Sequence, residues 1–125
     1  MIKKIILINL LLLFTIGTVT AHEIPNGFHK NSENFYTNGD YGLSITNYSK
    51  DTSKWIFNND TDYIVREGND HIYNYTDKLT RQVGVAEVTS NGLVVEVYAN
   101  GSDVGKCYQY LLEFNKLNNV KPVTV

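Results

Sequence analysis

Residues 81–99 read RQVGVAEVTSNGLVVEVYA, two apolar runs on either side of a turn signal. Asn91-Gly92 is the strongest two-residue signal for a β-hairpin, because a type I′ turn needs two residues that accept a positive φ. A two-residue loop fixes the register of the whole hairpin and therefore decides which side chains share a face. The pairs expected on one face are Ser90 with Leu93, Val88 with Val95, Ala86 with Val97 and Gly84 with Ala99.

The same register places Glu87 directly opposite Glu96 on the other face. Opposed like charges destabilise a sheet, so the pair calls for a compensating cation. A neighbouring Lys or Arg could supply it, solvent could screen the charges, or Ca²⁺ could bind if further oxygen ligands were present. A glycosidase pair is disfavoured, because directly facing residues have Cβ atoms only about 4.5–5.5 Å apart.

A second hairpin is predicted from DYIVRE (62–67) and HIYNYT (71–76). A three-residue loop, Gly68-Asn69-Asp70, places Val65 opposite Tyr73 and Tyr63 opposite Tyr75. A two-residue loop would mix apolar and polar side chains on both faces, so we prefer three. The three tyrosines then share the face assigned to the core, where their high strand propensity explains them without a ligand.

The apolar period changes from two to between three and four after residue 101, which predicts a helix. Its apolar stripe comprises Val104, Cys107, Leu111 and Phe114. Ser102 or Asp103 is expected to cap its start, and Lys116, Asn118-Asn119 and Pro122 mark its end. On this stripe Cys107 is expected to be an inert small hydrophobe.

The remaining strand is YGLSITNY, residues 41–48, and a short helix capped by Asp51 and ending at Trp55-Ile56-Phe57 is expected to follow. Residues 22–40 are polar with scattered rings and suit an extended arm with one short helical turn. These elements predict an α+β domain, an antiparallel sheet of about five strands that includes two hairpins and is backed by the C-terminal amphipathic helix.

The N-terminus has the pattern of a signal peptide. Lys3 and Lys4 precede an apolar run over residues 5–16, and small residues lead to a cleavage site between Ala21 and His22. Residues 1–21 are therefore predicted to be a leader and residues 22–125 a single small domain. An uncleaved leader could instead tether the chain, since residues 5–21 reach the lower length limit for crossing a bilayer.

Composition narrows the class of protein. Lys and Arg number 11 against 13 Asp and Glu, and loss of the two leader lysines makes the exported chain more acidic. Nucleic-acid binding needs a basic face, so we expect none. Cys107 is the single cysteine and excludes an intrachain disulfide. We expect a secreted or otherwise extracytoplasmic protein.

His22 would be the first residue of the cleaved chain, where an α-amine and an imidazole can chelate copper together. Certain copper-dependent polysaccharide oxygenases and small copper carriers use this arrangement. His29 or His71 could supply the second imidazole, a ligand that suits copper. The alternative is a solvated N-terminal residue. We expect no cofactor, and copper and calcium are the lesser alternatives.

Two surface features remain. Four N-glycosylation sequons begin at Asn47, Asn59, Asn74 and Asn100. Tyrosine and tryptophan rings serve secreted modules as ligand platforms, and the rings that the core does not explain are Tyr36, Tyr41, Tyr48 and Trp55. We predict that these four form an exposed aromatic patch.

The short leader, the body rich in Asn, Tyr and Lys, and the ending LLEFNKLNNVKP resemble small exported proteins of low-GC prokaryotes, methanogenic archaea included. That resemblance implies no activity. The sequence also lacks a G-x-S-x-G elbow, a Walker A motif and a G-x-G-x-x-G motif. We therefore expect a non-enzymatic binding module for a protein or glycan at the cell surface. The alternatives are an extracytoplasmic copper-binding protein and, third, a metal-dependent enzyme acting on polysaccharide.

Overall fold

The structure is a computed structural model that describes residues 22–48, 62–99 and 103–124. The predicted leader at 1–21 and the short helix predicted from Asp51 to Phe57 lie outside these residues. The strands are β1 (His29–Ser32), β2 (Phe35–Thr37), β3 (Tyr41–Asn47), β4 (Tyr63–Glu67), β5 (Tyr73–Asp77), β6 (Val83–Val88) and β7 (Leu93–Ala99); helix α1 is Val104–Asn118.

All seven described strands form one antiparallel sheet in the order β1-β2-β3-β7-β6-β5-β4, and α1 packs on one face against β7 and β6. The α+β class is therefore confirmed. The strand count of about five is too low, because the arm contributes β1 and β2 after a turn at Pro25–Phe28. These strands are short, and all four residues of β1 are exposed, so they carry no alternating apolar signal.

The predicted register of the β6–β7 hairpin is wrong by one residue. Thr89 pairs with Leu93, since its N–H donates to the Leu93 carbonyl over 2.8 Å, and the loop therefore has three residues. Gly92 lies at φ +81°, the left-handed position that ends the commonest three-residue hairpin loop. The side chain of Thr89 bonds Asn91 and also accepts from the Leu93 N–H, which stabilises this loop.

This correction separates the two glutamates. Glu87 lies opposite Val95, and Glu96 lies opposite Ala86. The side chains of β7 keep their predicted faces, but those of β6 exchange faces, because successive side chains of a strand alternate. Glu87 consequently points toward α1 and Glu96 points away from it.

The β4–β5 hairpin differs from the predicted register by two residues. Gly68 donates its N–H to the Ile72 carbonyl over 2.7 Å, and a 3-10 turn at Asn69–His71 closes the loop. Val65 pairs with Tyr75 rather than Tyr73. A two-residue shift preserves the faces, so the three tyrosines of β4 and β5 do lie together, on the sheet face opposite α1.

Helix α1 agrees with its prediction at both ends. Asp103 caps the start by accepting from the Lys106 N–H over 3.0 Å, and Asn119 ends the helix in the left-handed conformation. The stripe residues Cys107, Leu111 and Phe114 are fully buried. They pack on a helix-side core formed by Leu43, Ile45, Ile72, Val85, Val95, Val97 and Ala99.

The chain after α1 returns to the sheet. Ser90 donates to the Lys121 carbonyl and Val123 donates to the Val88 carbonyl, each over 2.8 Å. Pro122 thereby forms a bridge with Thr89, beyond the point where β5 stops pairing with β6. No helix among the described residues is long and apolar enough to cross a membrane.

Candidate binding site

The N-terminal arm is fixed to the C-terminal end of α1. The Asn118 side chain accepts from the Glu23 N–H and donates to the Glu23 carbonyl, both over 2.8 Å. The His22 ring lies with its centroid 5.8 Å from that of Phe114. These contacts hold His22 beside the sheet.

The turn between β1 and β2 is fixed to β3. Asn34 adopts φ 66°, and its carbonyl accepts from the Ile45 N–H over 3.0 Å. Lys30 and Glu33 come within 3.8 Å of each other on this hairpin and are both largely exposed. The hairpin therefore presents a cation and a carboxylate next to His22.

The arm, this hairpin and the ends of β3 and β7 enclose a cavity of about 520 Å³, which we call the edge hollow. Its volume is in the range of small-molecule sites. It is lined by His22, Lys30, Glu33, Asn34, Tyr36, Ile45, Thr46, Asn47 and Leu93.

The lining of the edge hollow is amphipathic. Two rings, His22 and Tyr36, line it together with the aliphatic side chains of Ile45 and Leu93 and with charged and amide groups. Rings and aliphatic carbons suit the C–H faces of a ligand, and the polar groups suit its hydroxyls or amides. The hollow therefore fits a small ligand that is apolar on its faces and polar at its edges.

A second concavity, the helix groove, lies over β4 and β5, which α1 leaves uncovered. It consists of two cavities of about 390 and 350 Å³ that share Asn74 and Val104. Arg66 and the 42% exposed Ile64 line one end, and Tyr108 lines the other. Its lining includes the two tyrosines Tyr75 and Tyr108, but neither a lysine nor a carboxylate.

Glu87 is completely buried beneath α1. Burial raises its pKa to about 8, and the Asn115 side chain opposes that rise only in part. Neither carboxylate oxygen has a hydrogen-bond partner among the described residues, and the same is true of Asn115 Oδ1. This carboxyl lines neither the edge hollow nor the helix groove.

Glu96 lies on the opposite face of the sheet. The Tyr75 hydroxyl donates to Glu96 Oε1 over 2.5 Å. Burial raises the pKa of Glu96, and hydrogen bonds from Tyr75 and Ser44 lower it in part. Because the sheet separates Glu87 from Glu96, the predicted facing pair, and with it a shared calcium or glycosidase site, does not form.

The two histidines proposed as second copper ligands lie far apart. His29 lies on the edge strand β1, whereas His71 lies in the β4–β5 turn, where Nδ1 is 3.1 Å from Glu67 Oε1. Five strand spacings, roughly 24 Å, separate β1 from β5. Residues 22–48, 62–99 and 103–124 contain no group of three His, Cys, Asp or Glu side chains placed to hold a metal ion.

The sequons and aromatic residues have mixed outcomes. Asn47 and Asn74 are exposed and line the edge hollow and the helix groove, respectively. Tyr36 and Tyr41 pack on the helix side, and Tyr48 packs on the other face, so these tyrosines form no common patch. Asn59, Asn100 and Trp55 lie outside the described residues.

Comparison of the chain with protein-family models, with curated proteins and with solved structures finds no match. The site therefore rests on its own geometry. Sequence reasoning selected His22 and Tyr36 for other reasons and missed Lys30, Glu33 and Asn34. The one available signal for these three was a polar turn with Asn at a left-handed position, too weak to indicate a hairpin.

Proposed function

We propose that this chain is an exported, non-enzymatic binding module that takes a saccharide in the edge hollow. The carrying observation is the lining itself, which combines two rings and two aliphatic side chains with a lysine, a carboxylate and two amides. A sugar presents the complementary surface, since its ring has C–H faces and a hydroxyl edge. Export follows from the predicted leader.

The position of the acidic groups supports binding over catalysis. An active site typically places carboxyl groups of perturbed pKa within a cleft. Among the described residues, the two carboxyl groups of raised pKa are Glu87 and Glu96. They are on opposite faces of the sheet, and neither lines the edge hollow.

A panel of cell-surface mono- and oligosaccharides tests the proposal on the exported protein. The double variant Lys30→Ala/Glu33→Ala removes the exposed rim charges, and we expect about tenfold or greater loss of affinity for the sugar that binds. The matched control is Glu113→Ala/Lys116→Ala, which removes the same charges at the same spacing from the exposed face of α1. Equal affinities for both variants would contradict the site, and release of a cleaved sugar would favour the enzyme alternative.

Copper binding is the second candidate, favoured by the presence of His22 and Glu33 in one cavity. With cleavage after Ala21, the His22 amine and imidazole would face this cavity together with a carboxylate. Titration of the exported protein with Cu(II), compared with His22→Ala, tests this reading. Tight binding that depends on His22 would support it, and binding that is unchanged in His22→Ala would reject it.

A further inference from the structure

Three buried polar atoms lack partners at one point beneath α1. Both carboxylate oxygens of Glu87 and Oδ1 of Asn115 make no hydrogen bond to any described residue. Glu87 has no exposed surface, and Asn115 has 8%. An ionised carboxylate without partners is costly in such a place, so the neutral, protonated form of Glu87 is favoured.

The surroundings of Glu87 cannot support a charge. Glu87 pairs with Val95 on β7, and Val95 pairs with Ile45 on β3. On its other side, the register with β5 places Ile72 level with Glu87. All three of these aliphatic residues are buried. Burial and Asn115 are the described influences on its pKa, and no cation is among them. Cys107 shares this core, but burial raises the pKa of its thiol to about 12, so it stays neutral at physiological pH. His71, which precedes Ile72, and Lys116, which follows Asn115, are both exposed.

Asn115 connects this carboxyl to the arm. The backbone carbonyl of Asn115 accepts hydrogen bonds from the Asn119 and Val120 N–H groups at the end of α1. Phe114 and Asn118, which hold His22 and Glu23, lie within one helical turn of it. A disturbance at Asn115 therefore acts on the helix end to which the arm is attached.

We infer that Glu87 is a neutral carboxylic acid in the folded protein, beside Asn115, and that its ionisation at alkaline pH loosens the end of α1 and releases the arm. The dissociated proton passes to solvent, and the carboxylate must then gain water by opening the helix end. Because the arm places His22 in the edge hollow, release of the arm should also lower the affinity for a ligand there. Only this last consequence rests on the proposed function.

The pH window follows from the two pKa values of Glu87. The pKa of about 8 in the folded protein exceeds the ordinary glutamate pKa of 4.5, so as pH rises the folded state keeps this proton to a higher pH than the unfolded state does. The contribution of Glu87 to the free energy of unfolding is fully present below about pH 4.5, declines as pH rises and is lost above about pH 8. Other groups of raised pKa, such as Glu96, also make the folded state less stable as pH rises. The test therefore compares the wild type with variants at the same pH, where these other contributions are equal.

The test measures thermal midpoints from pH 4 to pH 9 for the wild type, for Glu87→Gln and for Glu113→Gln as an exposed control. Gln imitates the protonated acid, so we expect similar midpoints at pH 4 and a Glu87→Gln midpoint at least about 5 °C above the wild type at pH 9. Hydrogen exchange of residues 22–28 at pH 9 should be faster in the wild type than in Glu87→Gln. If the thermal midpoint of Glu87→Gln changes with pH in parallel with that of the wild type, the inference is overturned. Equal hydrogen exchange of residues 22–28 in the two proteins at pH 9 would also overturn it.

A measurement on the wild type covers the case in which Glu87→Gln fails to fold. A ¹³C-carboxyl titration with assigned resonances should show the Glu87 carboxyl ionising near pH 8, and ionisation of Glu87 below pH 6.5 would overturn the inference. If no saccharide binds at any pH while these results hold, the proposed function fails and the inference about Glu87 stands.

Discussion

At the scale of single residues, two glycines on the sheet face opposite α1 make room for tyrosine rings. The cross-strand row runs Gly42, Tyr98, Gly84, Tyr75. A Cβ at Gly84 would lie 2.4 Å from Tyr75 Cζ, and one at Gly42 would lie 2.2 Å from Tyr98 Cζ. Each ring therefore occupies the space above a neighbouring glycine.

We predict that Gly84→Ala destabilises the fold more than Gly42→Ala. Tyr75 is 4% exposed and bonds the Glu96 carboxyl, so its ring cannot move aside without exposing a buried acceptor. Tyr98 is only half-buried and can swing toward solvent. We expect a cost of about 1–3 kcal/mol for Gly84→Ala and a smaller one for Gly42→Ala, measured by urea unfolding. The reverse order would contradict this explanation.

At the scale of elements, the sequence predicts the faces of β7 and α1 but not the register of β6. Leu93, Val95 and Val97 alternate as predicted, and the stripe of α1 is buried as predicted. Asn91-Gly92 does form the turn, but with Gly92 at the third loop position. Two- and three-residue loops share this dipeptide, and the side-chain bonds of Thr89 that favour the longer loop depend on three-dimensional geometry.

Cross-strand NOEs between α-protons test the corrected register. Thr89 and Leu93 form a hydrogen-bonded pair, so the closely spaced α-protons belong to the alternate pairs Val88 with Val94 and Ala86 with Glu96. We expect strong NOEs for these two pairs. A strong NOE between Glu87 and Glu96 would instead support the two-residue loop.

The arm provides the second prediction at this scale. Asn118→Ala removes both side-chain bonds to Glu23, and we expect a loss of about 1–2 kcal/mol together with faster proteolysis in residues 22–28. The control is Asp103→Ala, which removes the cap at the other end of α1 and costs about 1 kcal/mol. Equal proteolysis of the arm in both variants would show that Asn118 does not hold it.

At the scale of the whole molecule, the position of α1 determines where ligands can reach the sheet. The helix contacts β6 and β7 and leaves the two ends of the sheet uncovered. The edge hollow lies at one end and the helix groove at the other. Sequence alone indicated a helix on a sheet, but the hollow depends on β1 and β2. They gave no strand signal, because β1 is polar and β2 has only three residues.

The most direct test of the proposed site is a backbone amide shift map of the ¹⁵N-labelled exported protein with the saccharide selected by the panel. We predict shifts concentrated at residues 30–36 and 45–47, which line the edge hollow. Shifts confined to Arg66, Asn74 and Tyr108 would place the ligand in the helix groove and contradict the proposed site, and the absence of any shift would contradict saccharide binding itself.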